Sequence, residues 1–442
     1  MTTLAALPPT PWRADATPVA LISLGHAVSH FYQLALAPLF PWWRDAFALD
    51  WTRLGLIMTV FYIVSCIGQA VSGFAVDRFG ARRALIGGFA LMAAGALLAA
   101  GANGYPMLLA AAVIVAIGNS VFHPADYALL NHKISERRIG HAYSAHAISG
   151  TLGYAAAPVV MTALALAFGW RSALLFAAAL GVAMALLVML RAADFTPGRG
   201  TPDSGRGGAG RAAGSIAAAP IAAAAPTAAA PIASETAFFN SALAACMLFF
   251  VTVNIAGLGI QNMGASLLTA LGRMDQAAAA GWITTYIVMV AVGMVIGGFL
   301  VSGVRSGAGG SGGRYAPAYE RIAGGGTVIG AFALFALIHP AVSPLGTGLL
   351  LCVAGTALGV VTPARDLLVR AAAPRQATGQ AYGIVYSAVD IGAAIGPAVM
   401  GWWLDHGRAA GGFVTAGVAL LATAAAGWLI AAQVRRLGLD RR

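Results

Sequence analysis

Ionisable and amide side chains recur at helical spacing inside stretches that are otherwise apolar. His26, His30 and Gln33 stand at i, i+4 and i+7, and Asn119, His123 and Asp126 repeat the arrangement; each set lines one face of a helix. His146 follows further along the chain. Histidine changes charge between pH 5 and 8 and responds to a neighbouring carboxylate, so His26, His30, His123, Asp126 and His146 together have the chemistry of a proton-exchange site. The C-terminal part offers a different set. Asn254, Gln261 and Tyr286 are uncharged donors; Arg365, Asp366 and Arg370 follow Pro363; and Tyr382, Tyr386 and Asp390 stand at i, i+4 and i+8. An Arg365 facing Asp390 would form a pair that an anion or a proton can break, and adjacent Arg365 and Asp366 are expected to point apart. Structural roles stand beside these. His123 can donate to a carbonyl freed by Pro124, and His30 can be an interhelical hydrogen bonder. No tight Cys/His spacing points to a metal site, and no cofactor motif is present.

The elements that must position these residues are membrane helices. The chain has 442 residues, of which 59% are hydrophobic and only 9% charged, far below the roughly 25% charged share of soluble domains. A crossing needs about 20 mostly apolar residues, and such segments centre near Ala27, Val64, Leu91, Val115, Ala155, Leu180, Val253, Val290, Phe332, Val353, Ser387 and Leu421. Polar side chains at bilayer depth cost free energy, which makes each one named above a functional candidate.

The net charge of +11 reports topology rather than nucleic-acid binding. Arg78, Arg82, Arg83, Lys133, Arg137, Arg138, Arg191, Arg305, Arg314, Arg321, Arg375, Arg435 and Arg436 fall in loops or ends on one side of the alternating spans. Arg44, Arg53, Arg171, Arg273 and Arg408 fall on the other. The asymmetry puts both termini in the cytoplasm of a multi-pass inner-membrane protein. Cys66, Cys246 and Cys352 lie inside spans, where they act as small apolar side chains. Residues 1–18 lack an apolar core and are expected to be a cytoplasmic tail, not a cleavable signal. No G-x-x-x-x-G-K-S/T run occurs, so ATP drive within this chain is excluded.

Residues 192–236 are rich in Gly, Pro, Ala, Ser and Arg and read as a flexible linker between six-span halves at 19–191 and 237–434, with a tail at 435–442. The halves are copies. A shift of 239 residues carries Pro124 to Pro363, Gly140 to Gly379, Tyr143 to Tyr382, Gly153 to Gly392, Pro158 to Pro397 and Met161 to Met400 without a gap. The expected fold is all-α and polytopic, with twelve transmembrane helices in two pseudo-repeated halves around a central cavity.

Between the second and third spans lies Gly73-Phe74-Ala75-Val76-Asp77-Arg78-Phe79-Gly80-Ala81-Arg82-Arg83. This loop resembles the signature of the major facilitator superfamily, with Gly73, Asp77, Arg78, Gly80, Arg82 and Arg83 in register. Gly118-Asn119-Ser120-Val121-Phe122-His123-Pro124 resembles the fourth-span G-x-x-x-F-H-P run of fosmidomycin-resistance-like efflux members. The resemblance implies a secondary transporter of a small organic solute working by alternating access, proton-coupled, monomeric, and running as efflux in preference to uptake. It implies that the first and fourth spans of each half line the cavity, so that the histidine faces meet across water in the cytoplasmic half of the path. It also implies that Asp77 pairs with a helix start in the other half, or with Arg82 or Arg83, to hold the cytoplasmic ends together. The second copy of the loop, Gly298 to Ser302, lacks the acid. The fourth-span Arg and fifth-span G-x-x-x-G-P-x-x-G-G run of many proton antiporters are also absent; Gly392-x-x-x-Gly396-Pro397 occurs in the wrong half. A facilitative or uptake carrier, a transport-inactive sensor and a membrane enzyme using the His/Asp cluster are the other readings.

Overall fold

A computed structural model describes residues 12–134, 138–195, 241–307, 317–372 and 378–436. Residues 196–236 of the expected linker, 1–11 of the N-terminal tail and 437–442 of the C-terminal tail lie outside the described residues, as do the side chains of Ser302, Arg370 and Tyr382; Arg435 and Arg436 continue the last helix rather than starting a tail. The described chain is helical, as a bilayer demands of a backbone that has no water to bond with. The N-terminal half comprises α1 (Trp12–Ala35), a 3-10 turn (Ala37–Leu39), α2 (Phe40–Phe47), α3 (Trp51–Phe79), α4 (Ala81–Ala100), α5 (Tyr105–Asn119), α6 (Phe122–Lys133), α7 (Ile139–Phe168) and α8 (Trp170–Leu190). The C-terminal half comprises α9 (Ser241–Ala270), α10 (Gln276–Gly307), α11 (Pro317–Leu337), α12 (Pro344–Ala372), α13 (Thr378–Asp405) and α14 (Ala410–Arg436).

Eleven stretches among the described residues are long and apolar enough to cross a membrane. The remaining long helix is α13, 28 residues that carry Asp390, Pro397 and Asp405 and complete twelve. Large apolar side chains stay exposed around the bundle, among them Phe299, Phe168 and Trp428. In water these would be liabilities; in a bilayer they are the solvated surface. The first turns of α1 fall within the segment 1–18. There Asp15 is buried and pairs with Arg138 at 2.8 Å, tying the start of α1 to the start of α7.

Helices approach closely at small residues, and they do so equivalently in the two halves. A Cβ on Gly153 in α7 would collide with the Ala27 carbonyl of α1, and one on its repeat mate Gly392 in α13 would collide with the Val251 carbonyl of α9. Gly80 ends α3 and opens α4 at φ +83°, a left-handed conformation that strains any residue with a side chain.

The fourth span is interrupted. α5 stops at Asn119 and α6 begins at Phe122. Pro124 cannot donate to the Ser120 carbonyl four residues back. Ser72 of α3 supplies a donor, its hydroxyl lying 3.0 Å from that carbonyl and sharing its proton with the Gln69 carbonyl of its own helix, also at 3.0 Å. The sequence had pointed to His123 for this role.

The halves meet through α3 against α13 and α7 against α10. Part of this seam lies where α3 begins. The backbone N–H groups of Trp51 and Thr52 donate to the two carboxylate oxygens of Asp405 at 2.6 and 2.7 Å, and the Thr52 hydroxyl donates to the same side chain at 2.5 Å. Asp405 thus caps the first turn of α3 from the opposite half. Further in, the Thr59 hydroxyl donates to the Ala394 carbonyl at 2.5 Å, and Thr284 of α10 donates to the Ala155 carbonyl of α7 at 2.7 Å.

Candidate functional site

α1, α6 and α7 bring the N-terminal candidates into one buried cluster. His26 Nδ1 and His146 Nε2 each lie 3.2 Å from the same atom, Oδ2 of Asp126. Exposures of 2%, 1% and 1% for His26, Asp126 and His146 seal the group from solvent. The His26 and His146 rings stack with centroids 3.5 Å apart, while His30 and His123 pack against His26 at 4.2 and 5.1 Å. Packing forces this convergence, because Gly150 of α7 leaves room for both α1 rings: a Cβ there would lie 2.8 Å from His30 and 2.9 Å from His26. The break between α5 and α6 reorients the fourth span, so Asn119 turns instead to the Ser29 carbonyl at 3.0 Å.

The expectation that these faces meet across water is corrected: they touch directly, inside one half. α1 and α7 approach closely at Gly150 and Gly153. His123, on the same helix as Asp126, makes ring contacts only; its Nδ1 is buried without a hydrogen-bond partner, as is His146 Nδ1. The donor atoms of His26, Asp126 and His146 lie within 4.8 Å of one another, which is close enough to consider a cation. The two rings are inclined by only 21° and stacked, so their lone pairs run nearly parallel instead of converging. The arrangement suits hydrogen bonding to one oxygen better than coordination of one ion.

From this cluster a line of polar side chains leads to the surface between the halves. The His30 ring packs on Tyr154 at 4.4 Å, and the Tyr154 hydroxyl donates to Gln33 Oε1 at 2.5 Å. Across the junction, Asn262 of α9 donates to the Tyr62 hydroxyl of α3 at 3.2 Å, and Asp390 of α13 lies beside Cys66 of α3 and close to Tyr62 and Tyr154. Tyr62, Tyr154 and Asn262 were not singled out from the sequence. Gln261 was; its Oε1 is buried and unpartnered, and its neighbour Asn262 makes the cross-half bond. Asn254 donates to the Phe250 carbonyl of its own helix at 2.8 Å.

The Arg365–Asp390 pair does not form. Arg365 Nε instead lies 3.0 Å from Oδ1 of adjacent Asp366, which also accepts from the Tyr386 hydroxyl at 2.9 Å. The guanidinium stacks on Phe250 at 4.5 Å. Arginine's length lets it fold back along the helix, which defeats the expectation that neighbouring side chains diverge, and the aromatic face of Phe250 holds it there. Under the repeat, Arg365 stands where Asp126 stands in the first half. Equivalent positions therefore carry opposite charge: an acid with two imidazoles in one half, and an Arg–Asp–Tyr group in the other.

In the signature loop, Arg82 Nε and Nη2 donate to the Val188 and Met189 carbonyls at 3.3 and 3.0 Å, capping the end of α8. Asp77 is exposed and has no ion pair among the described residues, so the expected pairing with Arg82 or Arg83 is absent. Arg82 is taken by helix-end carbonyls that need a donor. Gly73, Arg78 and Arg83 lie in the last turns of α3 and the first of α4. The cysteines are free.

The architecture is that of a two-half polytopic membrane protein, and comparison with known proteins agrees. Residues 22–397 match the Major Facilitator Superfamily, and the chain belongs to that family. It is 27% identical over 169 residues to the fosmidomycin resistance protein of Escherichia coli (strain K12), covering 38% of this chain and 41% of that protein. A multidrug resistance protein B homolog of Mycobacterium tuberculosis is 28% identical over 121 residues, covering 27% of this chain and 22% of that protein. The matched stretch thus spans less than half the length of either relative. In fold, the chain superposes on the crystal structure of a bacterial homolog to the human lysosomal transporter Spinster, in an inward-facing and occupied conformation. The TM-score is 0.75 at 16% identity, over 96% of this chain and 98% of that one. The likeness to the solved structure, at 16% identity, is one of fold, and the family is that of the matched model.

Proposed function

We propose that the protein is a secondary active transporter that moves a small organic solute by alternating access, exchanging protons at the Asp126 cluster and running as efflux. The observation that carries this reading is the sharing of one buried carboxylate oxygen by two imidazoles on different helices. With Asp126 ionised and both rings neutral, each ring donates to Oδ2 and the cluster holds one negative charge. A proton taken up at His146 Nδ1, the unpartnered nitrogen, turns that ring into an imidazolium beside a carboxylate, and the net charge falls to zero. Carrying an unbalanced charge through a low-dielectric interior is costly, so the neutral cluster favours rearrangement of the helices around it. The contact from His30 through Tyr154 to Gln33 links the charge state to the surface between the halves, where Tyr62, Asn262 and Asp390 meet.

Segments 19–191 and 237–434 are the rocking units, tethered by 192–236, in a monomer. With the basic side in the cytoplasm, the Asp405 cap holds the outer ends of the halves together. Asp77, at the opposite end of α3, then acts when the cytoplasmic ends close, and Asp77→Asn slows cycling without unfolding the protein. Efflux is favoured by likeness to two resistance proteins.

The test uses purified protein in proteoliposomes with an internal pH-sensitive dye, challenged with pools of small organic solutes. A solute-dependent proton signal that disappears in Asp126→Asn supports the proposal. Solute flux without a proton signal, or a signal that survives in Asp126→Asn, refutes the assignment.

A further inference from the structure

The C-terminal half carries a groove of about 550 Å³ between α10, α11 and α12, lined by none of the residues of the histidine cluster. Its walls are apolar: Leu300 from α10, Ile322 and Ile329 from α11, Val353 and Val360 from α12. Leu300, Ile329 and Val353 are exposed, so the groove opens sideways, onto the surface that faces lipid. Gly325 forms part of its floor, and a Cβ built there meets nothing within 4 Å. One cation stands in the lining, Arg321, in the first turns of α11. The preceding residue, Glu320, is held by Arg435 of α14 at 3.1 Å, and among the described residues no carboxylate is within ion-pair distance of Arg321.

Depth identifies what such a groove accepts. From Arg321 to Ile329 a helix rises about 12 Å, close to the roughly 15 Å of one leaflet in a bilayer with a hydrocarbon core of about 30 Å. The cation is thus at headgroup level, with apolar walls running from it toward the bilayer centre. A single acyl chain fits the trough, and an anionic headgroup fits the arginine; basic residues between transmembrane helices recognise anionic lipid in this way. We infer that the groove between α10, α11 and α12 binds one anionic phospholipid, its headgroup on Arg321 and one acyl chain along Gly325 to Ile329.

The experiment is native mass spectrometry of the full chain, delipidated in detergent and titrated with phosphatidylglycerol or phosphatidylcholine of identical chains. The expected result is at least a tenfold preference for phosphatidylglycerol in the unmodified protein, lost in Arg321→Gln and kept in Arg408→Gln, an exposed arginine outside the groove. Gly325→Leu, whose Cβ meets no neighbouring atom and which improves helix propensity, should reduce retention of both lipids while leaving gel-filtration behaviour and helicity unchanged. Equal retention of the two lipids, or a preference that survives Arg321→Gln, overturns the headgroup assignment. Retention unchanged by Gly325→Leu overturns the seating in the groove, and would point to a cationic surface that binds lipid without the trough.

Discussion

Asp405→Asn should open the outer end of the bundle. Asp405 meets the first turn of α3 through two backbone N–H groups and one hydroxyl, at 2.5 to 2.7 Å. It acts as a helix cap supplied by the other half, alongside the local cap in which Asp50 accepts from the Arg53 N–H at 2.6 Å. Asparagine keeps one acceptor oxygen, so the substitution removes one acceptor and the negative charge. A net hydrogen bond contributes about 1 kcal/mol, and a carboxylate at a helix N-terminus about 0.3 to 1 kcal/mol more where it is solvent-exposed. The sum is about 1.5 kcal/mol, or roughly tenfold in the equilibrium between closed and open outer ends. Asp405→Ala removes all three bonds and should shift it further. Spin labels at Asp45 and Arg408, both exposed and on opposite halves, report the separation by pulsed electron resonance in a cysteine-free background. The separated population should rise about tenfold in Asp405→Asn. In a double-mutant cycle, Thr52→Val and Asp405→Asn should be less than additive. An unchanged distance distribution, or strict additivity, would refute the cap as an inter-half latch.

Other consequences follow from contacts already described. Ser72→Ala leaves the Ser120 carbonyl unsatisfied beside Pro124 and should cost about 1 kcal/mol, read as a lowered melting temperature in detergent; Ser149→Ala, with only a local bond to the His146 carbonyl at 2.7 Å, should cost less. Gly153→Leu and Gly392→Leu should each destabilise by at least about 1 to 3 kcal/mol, because both helices meet a backbone carbonyl there; a monodisperse, stable variant at either position would contradict the paired packing. His146→Gln should abolish proton dependence while His123→Ala retains it, since His146 bonds Asp126 and His123 does not; the reverse pattern in proteoliposomes would move the proton site.

Much of the fold was legible because membrane helices are written in long apolar runs. The repeat was legible because its small residues, such as Gly153 and Gly392, are fixed by backbone contact. The His/Asp cluster was legible for a similar reason: polar residues at bilayer depth are few, and helical spacing puts them on common faces. Partners across helices were not legible. That Ser72, rather than His123, satisfies the carbonyl freed by Pro124 depends on how α3 lies against the α5–α6 break. That Arg365 folds onto Asp366 and Phe250 rather than reaching Asp390 depends on a rotamer and a neighbouring ring. Tyr62, Tyr154 and Asn262 carry no periodic signal of their own; the one available hint was that Asn262 directly follows Gln261 in a span with few amides. Asp405 was hidden by its position at a helix end, where an acid ordinarily reads as loop chemistry.

The most direct test of proton coupling at Asp126 is the steady-state solute gradient that a pH gradient sustains in proteoliposomes held at zero membrane potential. One pH unit corresponds to about 1.4 kcal/mol, so exchange of one proton per neutral solute should hold up to about a tenfold gradient, with solute accumulated on the acidic side. Asp126→Asn should let the solute equalise. A wild-type gradient that collapses to unity whatever the pH difference, with flux demonstrated, would contradict the account.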